Sequence, residues 1–269
     1  VSELEHFRSH DGVGVPARIL YLKSTVINGK NPTYIETYGA FNYIGFYLFP
    51  ELDTMKLEFL KRGGIVVGTG VRGGAERGYQ WYRNGTGQYK ANPAHDLIAI
   101  AQGLVKRGYT TSEKIVSTGT SAGGDNVALA AQFSPESFGL VIPVSGIHDH
   151  LGYLHLDRWG PQWLMDYLNP YDSTDFSAIY ARSPLEVRKP AERYPQYLIV
   201  CGEEDSRVSK VHSYKLKAVI DEFNEGGTYL HCVDHAGHWP NASFTHGRRG
   251  VQTNAVIWSW VYDYLGLKF

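Results

Sequence analysis

The sequence predicts an α/β protein, a mainly parallel sheet with helices on both faces. Strand-like and helix-like stretches alternate along most of the chain. The strands are short unbroken apolar runs such as Ile65-Val66-Val67, the pattern of strands buried on both sides. Glycine makes up 30 of 269 residues, well above the roughly 7% of an average chain, as many tight turns require.

Val15 to Leu22 alternates as a strand, Asn28-Gly29 turns the chain, and Thr33 to Thr37 is the next strand. Leu52 to Arg62 reads as a helix stopped by Gly63-Gly64, and Ile65 to Gly68 as a buried strand. Asn92-Pro93 opens a helix whose apolar positions run to Val105 and which Gly108 ends. Lys114 to Thr118 is a strand running into a glycine turn and a helix from Gly123 to Phe133. Gly139 to Val144 is a further strand. Asp149 to Lys189, mixed in polarity and interrupted by prolines, breaks the rhythm and reads as an irregular insertion. The alternation then resumes with strand Gln196 to Cys201, helix Ser209 to Phe223, strand Thr228 to Val233 and helix Asn254 to Leu265. Without repeats or a Pro/Ser linker, residues 1–269 are expected to form one domain.

Hydrophobic residues make up 43% and charged residues 20%, an ordinary globular composition. A net charge of −1 supplies no basic field for nucleic acid or an anionic membrane. No apolar run approaches the ~20 residues of a spanning helix, and no signal-peptide pattern is present, so a cytoplasmic protein is expected. Cys201 and Cys232 are too few for a disulfide framework and read as inert buried thiols.

The sharpest chemical signal is Gly119-Thr120-Ser121-Ala122-Gly123, a GxSxG run between a predicted strand and a predicted helix. A serine on such a turn projects clear of the sheet, and the helix N-terminus behind it offers backbone N–H groups to an oxyanion. Serine needs a base held by an acid, and in sheets of this kind the chain order is Ser, Asp/Glu, His. Downstream, Glu203, Glu204 and Asp205 follow one strand, and His235 and His238 follow the next. Both groups sit beyond the carboxyl ends of strands, where catalytic residues collect in open α/β sheets. Asp205 stands furthest from its strand, and Gly237 beside His238 suits a loop that approaches the nucleophile, so Ser121, Asp205 and His238 are the preferred set. The histidines at 148, 150, 155, 231, 235 and 238 match no metal-ligand spacing, and Gly68-Thr69-Gly70 with Gly73-Gly74 lacks the GK[ST] of a phosphate loop.

Tyr38-Gly39-Ala40-Phe41-Asn42, Val71-Arg72-Gly73-Gly74-Ala75-Glu76-Arg77-Gly78 with Trp81, and Gly108-Tyr109-Thr110 ahead of the Ser121 turn resemble the prolyl oligopeptidase family of serine peptidases. Asp205-Ser206-Arg207-Val208 and Ala236-Gly237-His238 extend the resemblance. It runs over almost the whole chain and covers that family's catalytic domain, which implies an eight-stranded α/β-hydrolase fold. It also implies Ser121, Asp205 and His238 as a triad, with the Tyr38 hydroxyl and the Ala122 N–H as the oxyanion hole. Trp159 would stack on a proline ring in the specificity pocket, although Trp163 lies close by, and Arg207 would hold a substrate carbonyl. The expected substrate is a short peptide, with a small ester as the alternative, and no metal or organic cofactor is needed.

Two departures from the family pattern keep backbone donation intact: Ala122 where many members carry Asn, and Ala40 in place of a second glycine. The family's β-propeller has no counterpart in this chain, so it is expected to be either a piece of a longer peptidase or a stand-alone hydrolase, in which case esterase activity competes. A non-catalytic binding module of this fold would usually have lost a triad member, and this chain keeps all three.

Overall fold

The computed structural model describes residues 1–45, 52–187, 191, 193–224, 227–242 and 247–268. Strands β1 (Ser2–Arg8), β2 (Gly14–Leu20), β3 (Thr33–Glu36), β4 (Ile65–Thr69), β5 (Ile115–Thr120), β6 (Leu140–Val144), β7 (Gln196–Gly202) and β8 (Thr228–Val233) form one sheet. Their order is β1-β2-β4-β3-β5-β6-β7-β8. The β1/β2 and β2/β4 pairs are antiparallel, and every pair from β4 to β8 is parallel.

Alternation along the strands divides the core between two faces. Ile65 and Val67 of β4, Val141 of β6 and Ile199 of β7 point to the face covered by α3 (Asn92–Lys106), α4 (Ala122–Phe133) and α8 (Val211–Asp221). Val66, Ile142, Leu198 and Val200 point to the other, covered by α1 (Thr54–Lys61) and α9 (Arg248–Leu265) through Phe59, Leu60, Ile257 and Trp258. Tyr34 of β3 stacks on Trp258 at 4.8 Å between ring centroids, so one aromatic contact seats α9.

Three elements differ from the sequence expectation. β1 shows no readable period because its apolar residues are out of phase: Leu4 is 45% exposed while Phe7 is buried, and Glu5 and His6 stand between them. Charges on such an edge strand also discourage pairing with a second chain. α9 starts at Arg248, because its first turns, Arg248-Arg249-Gly250-Val251-Gln252, carry no apolar period to read. α1 starts at Thr54, where the Asp53 carboxylate accepts from Lys56 N–H at 2.8 Å and caps the helix.

The irregular insertion holds three short helices, α5 (Tyr153–Leu156), α6 (Leu164–Tyr167) and α7 (Ser173–Tyr180), and the expected end at Lys189 lies outside the described residues. A separate five-residue helix, α2 (Tyr79–Arg83), precedes α3. No described helix is long and apolar enough to cross a membrane.

Candidate active site

β5 ends at Thr120 and α4 begins at Ala122, which leaves Ser121 alone to make the turn at φ 60° and ψ −127°. That is left-handed backbone in a non-glycine residue, a strained conformation that persists only where the surroundings fix it. They do so here through two hydrogen bonds: Ser121 N–H donates to the Val144 carbonyl at 2.8 Å, and Asp125 N–H donates to the Ser121 carbonyl at 3.1 Å. The flanking glycines are required by contact. A Cβ on Gly119 would lie 2.4 Å from the Gly123 carbonyl oxygen, and one on Gly123 would lie 2.5 Å from that of Thr37.

Asp205 and His238 meet beyond the ends of β7 and β8. The His238 Nδ1 and the Asp205 Oδ2 are 2.8 Å apart, with side chains only 5% and 0% exposed. The other carboxylate oxygen, Oδ1, accepts from the backbone N–H groups of Arg207 and Val208, both at 2.9 Å, so the acid is fixed by its own loop. The competing residues form a second pair, in which Glu204 and His235 sit 2.7 Å apart with side chains 60% and 63% exposed. Burial thus separates the two pairs. His238 Nε2, the nitrogen available to a nucleophile, is buried with no hydrogen-bond partner among the described residues. In an apo site such contacts are often long and tighten only with substrate.

Tyr38 lies two residues beyond the end of β3. Burial, reinforced by the Asp166 carboxylate, pushes its phenol up to about 12, against the opposing charge of Arg207. It therefore stays a proton donor at neutral and moderately alkaline pH. Ala122 is fully buried at the first position of α4, where backbone N–H groups have no intrahelical partner. Asn126, which the sequence reading passed over, donates its side-chain amide to the Tyr38 carbonyl at 2.5 Å.

An aromatic cluster lies beside these groups. Ile147, Tyr153, Trp163, Tyr167 and Val208 are buried together, with Phe41 packed against them. Phe41 and Val208 are each three residues beyond a site residue, Tyr38 and Asp205, which joins the cluster to both loops. Trp163 is 8% exposed and stacked on Tyr153, whereas Trp159 is 41% exposed. The indole in the cluster is therefore Trp163, and Trp159 lies outside it. The segment's irregular spacing offered no means of choosing between them. Arg207 is exposed, with its guanidinium 5.1 Å from the Trp239 ring, which in turn meets His238 edge-on.

Beneath the cluster is a buried polar network that the sequence did not reveal. Asp125 accepts from the Tyr167 hydroxyl at 3.0 Å and pairs with His150 at 2.8 Å. The Lys90 ammonium is buried 4.4 Å from the Tyr167 ring centroid without a hydrogen bond among the described residues, and burial pushes its pKa down. Two aspartates fasten the insertion. Asp157 accepts from Ser209 N–H and pairs with His212, both at 2.7 Å. Asp166 accepts from Phe41 N–H at 3.2 Å and from the Tyr82 hydroxyl at 3.1 Å. Of the histidines singled out in the sequence, only His150 joins this network, and no group of three or more potential metal ligands occurs among the described residues.

A parallel sheet entered by an antiparallel hairpin, with a strained serine at one strand-to-helix turn and a buried Asp–His pair two strands away, defines the α/β-hydrolase fold. Residues 50–268 match the description "Prolyl oligopeptidase family", and the chain belongs to that family. It is 32% identical over 266 residues to prolyl oligopeptidase A of Galerina marginata, covering 97% of this chain and 35% of that protein. It is 30% identical over 271 residues to a prolyl endopeptidase of Elizabethkingia meningoseptica, covering 100% of this chain and 37% of the relative. A post-proline cleaving enzyme from Rickettsia typhi superimposes with a TM-score of 0.90 at 28% identity, over 100% of this chain and 38% of that one. The chain thus spans little more than a third of the length of these relatives.

Proposed function

We propose that the chain is a serine hydrolase, the catalytic domain of a prolyl oligopeptidase-like peptidase that cleaves short peptides after proline. It reads as a single domain with residues 149–189 as an insertion, and a cytoplasmic location belongs to the same proposal. The observation that carries the reading is the buried Asp205–His238 pair beyond β7 and β8, together with the strained Ser121 turn at the end of β5 and a buried aromatic cluster.

Ser121 Oγ attacks the scissile carbonyl as His238 Nε2 takes its proton. His238 Nδ1–H donates to Asp205, which fixes the tautomer and stabilises the imidazolium. The Tyr38 hydroxyl and the Ala122 N–H receive the oxyanion. His238 then protonates the leaving amine, and water hydrolyses the acyl-enzyme by the same steps in reverse. Phe41 and the partly accessible Trp163 offer apolar surface for a pyrrolidine ring, with Tyr167 and Val208 buried behind them, and Arg207 offers a cation for a neighbouring substrate carbonyl.

The test compares a blocked dipeptide ending in proline, carrying a chromogenic amide, with its alanine analogue. Proline should be preferred, Trp163→Ala should erase the preference and Trp159→Ala should keep it. Arg207→Ala should cost about 1–3 kcal/mol in kcat/KM on the amide, the scale of a lost charged hydrogen bond. On p-nitrophenyl acetate, which has no second carbonyl, Arg207→Ala should have little effect. Turnover of short-chain esters with every prolyl amide left intact would replace the peptidase by an esterase.

A further inference from the structure

Cys201 and Cys232 are the chain's two cysteines, and they face each other across its last two strands. β7 and β8 run parallel in a register that pairs Cys201 with Cys232, which places both side chains on one face of the sheet. Cys201 is buried, while Cys232 is only half-buried, with its sulfur 3.5 Å from the Tyr214 hydroxyl. The expectation of two buried thiols is corrected at Cys232, since an apolar run does not tell how far a strand near the sheet edge is covered.

We propose that Cys201 and Cys232 form a reversible disulfide when the protein meets a peroxide, and that this bond controls the geometry of Asp205 and His238. The effect on catalysis rests on the triad reading; formation of the disulfide does not.

Neighbouring strands lie about 4.8 Å apart, inside the Cα separation of roughly 4.4–6.8 Å that a disulfide spans, but the bridge also pulls its Cβ atoms in to about 3.8 Å. The cross-link must therefore draw the strands together or twist them, and strained bridges of this kind are the readily reduced ones. One residue of each strand, Gly202 and Val233, separates the cysteines from the loops that carry the acid and the base. Those loops are already in contact. A Cβ on Gly202 would lie 2.2 Å from the Gly237 carbonyl oxygen and 2.4 Å from that of Ala236. Glu203 N–H donates to the Val233 carbonyl and Glu204 N–H to the Ala236 carbonyl, both at 2.9 Å. Movement at the cysteines has no slack to absorb it and passes to the 2.8 Å contact between Asp205 and His238.

Burial pushes the Cys201 thiol up, so the better exposed Cys232 meets the oxidant first. Its sulfur takes one peroxide oxygen as the O–O bond breaks, giving a sulfenic acid and water. The Cys201 sulfur then attacks the Cys232 sulfur: the S–S bond forms, the S–O bond breaks, and the Cys201 proton leaves with the hydroxide as a second water. Two thiols and one peroxide become one disulfide and two waters, with two electrons passing from sulfur to peroxide. A dithiol reverses the change.

The experiment treats the chain with hydrogen peroxide and follows free thiols, peptide mass and p-nitrophenyl acetate turnover, with Cys201→Ser and Cys232→Ser in parallel. The expected result is loss of both thiols and a cross-linked peptide holding both cysteines. Turnover should fall roughly tenfold or more and return with dithiothreitol. Neither serine variant should form a cross-link or lose turnover, although Cys232 in Cys201→Ser should still take up oxygen from peroxide. Oxygen adducts on the cysteines without a cross-link would overturn the disulfide, and a cross-linked protein with unchanged turnover would overturn the control. An equal loss of turnover in Cys201→Ser would also overturn it. A chain inactive before treatment would count against the triad reading alone, because mass still decides whether the bridge forms.

Discussion

Asn126 donates to the Tyr38 carbonyl at 2.5 Å, so α4, which follows directly on Ser121, also anchors the loop carrying the proposed second oxyanion donor. Nucleophile and phenol are thereby held by one rigid element. Asn126→Ala should lower kcat roughly 10- to 100-fold with little change in KM, the expected result of displacing an oxyanion donor without touching the substrate. A change confined to KM would assign Asn126 to binding.

The two Asp/Glu–His pairs should separate sharply under mutation. Ser121→Ala and His238→Ala are expected to cost about 10⁴-fold or more in kcat, and Asp205→Ala should also be severe. Glu204→Ala and His235→Ala should stay close to wild type, because an exposed ion pair contributes little. A mild Asp205→Ala beside a severe Glu204→Ala would move the acid to Glu204.

Tyr38→Phe should reduce kcat roughly 10- to 10³-fold. Because burial holds the Tyr38 phenol at about 12, the donor is present below that value and lost only as pH rises through it. The ratio of wild-type to Tyr38→Phe kcat should therefore stay level from neutral pH past the ordinary tyrosine range. Kinetics of both proteins across that interval check this, and a ratio that collapses near pH 10 would mean an ordinary phenol.

His148 bears on stability in acid. It is fully buried, neither ring nitrogen has a hydrogen-bond partner among the described residues, and burial pushes it down to about 3 despite the nearby Asp125 carboxylate. A depressed folded pKa gives stability that is present above the unfolded value and lost as pH falls toward the folded one. Lowering pH from 7 to 5 should cost about 2 kcal/mol through this residue. Urea unfolding at the two pH values measures it, and His148→Leu should flatten the difference.

The parallel half of the sheet and the nucleophile turn were legible because strand, glycine turn and helix are written contiguously in residues 114–133. Asp205 and His238 could be ranked above their neighbours from loop position, but it is burial that separates 205/238 from 204/235, and burial is a tertiary property. Trp163 could not be told from Trp159 because the insertion lacks a period, so nothing local says which indole turns inward. Asn126, Asp125 and Lys90 were invisible for a related reason. Their partners lie on other elements, from 38 to 167 in the chain, and no local pattern encodes such contacts.

Asp157 and Asp166 fix both ends of the same strap, one to the α8 side and the other to the Phe41 and Tyr82 side. Between them Trp163 turns inward, while Arg158, Trp159, Pro161, Gln162, Leu164 and Met165 face solvent. A tether closed at both ends has already lost most of its entropy, so substitutions along its outer side change the solvent-facing surface without loosening the attachment. Sequence can drift on that outer side while the two aspartates keep Trp163 turned inward.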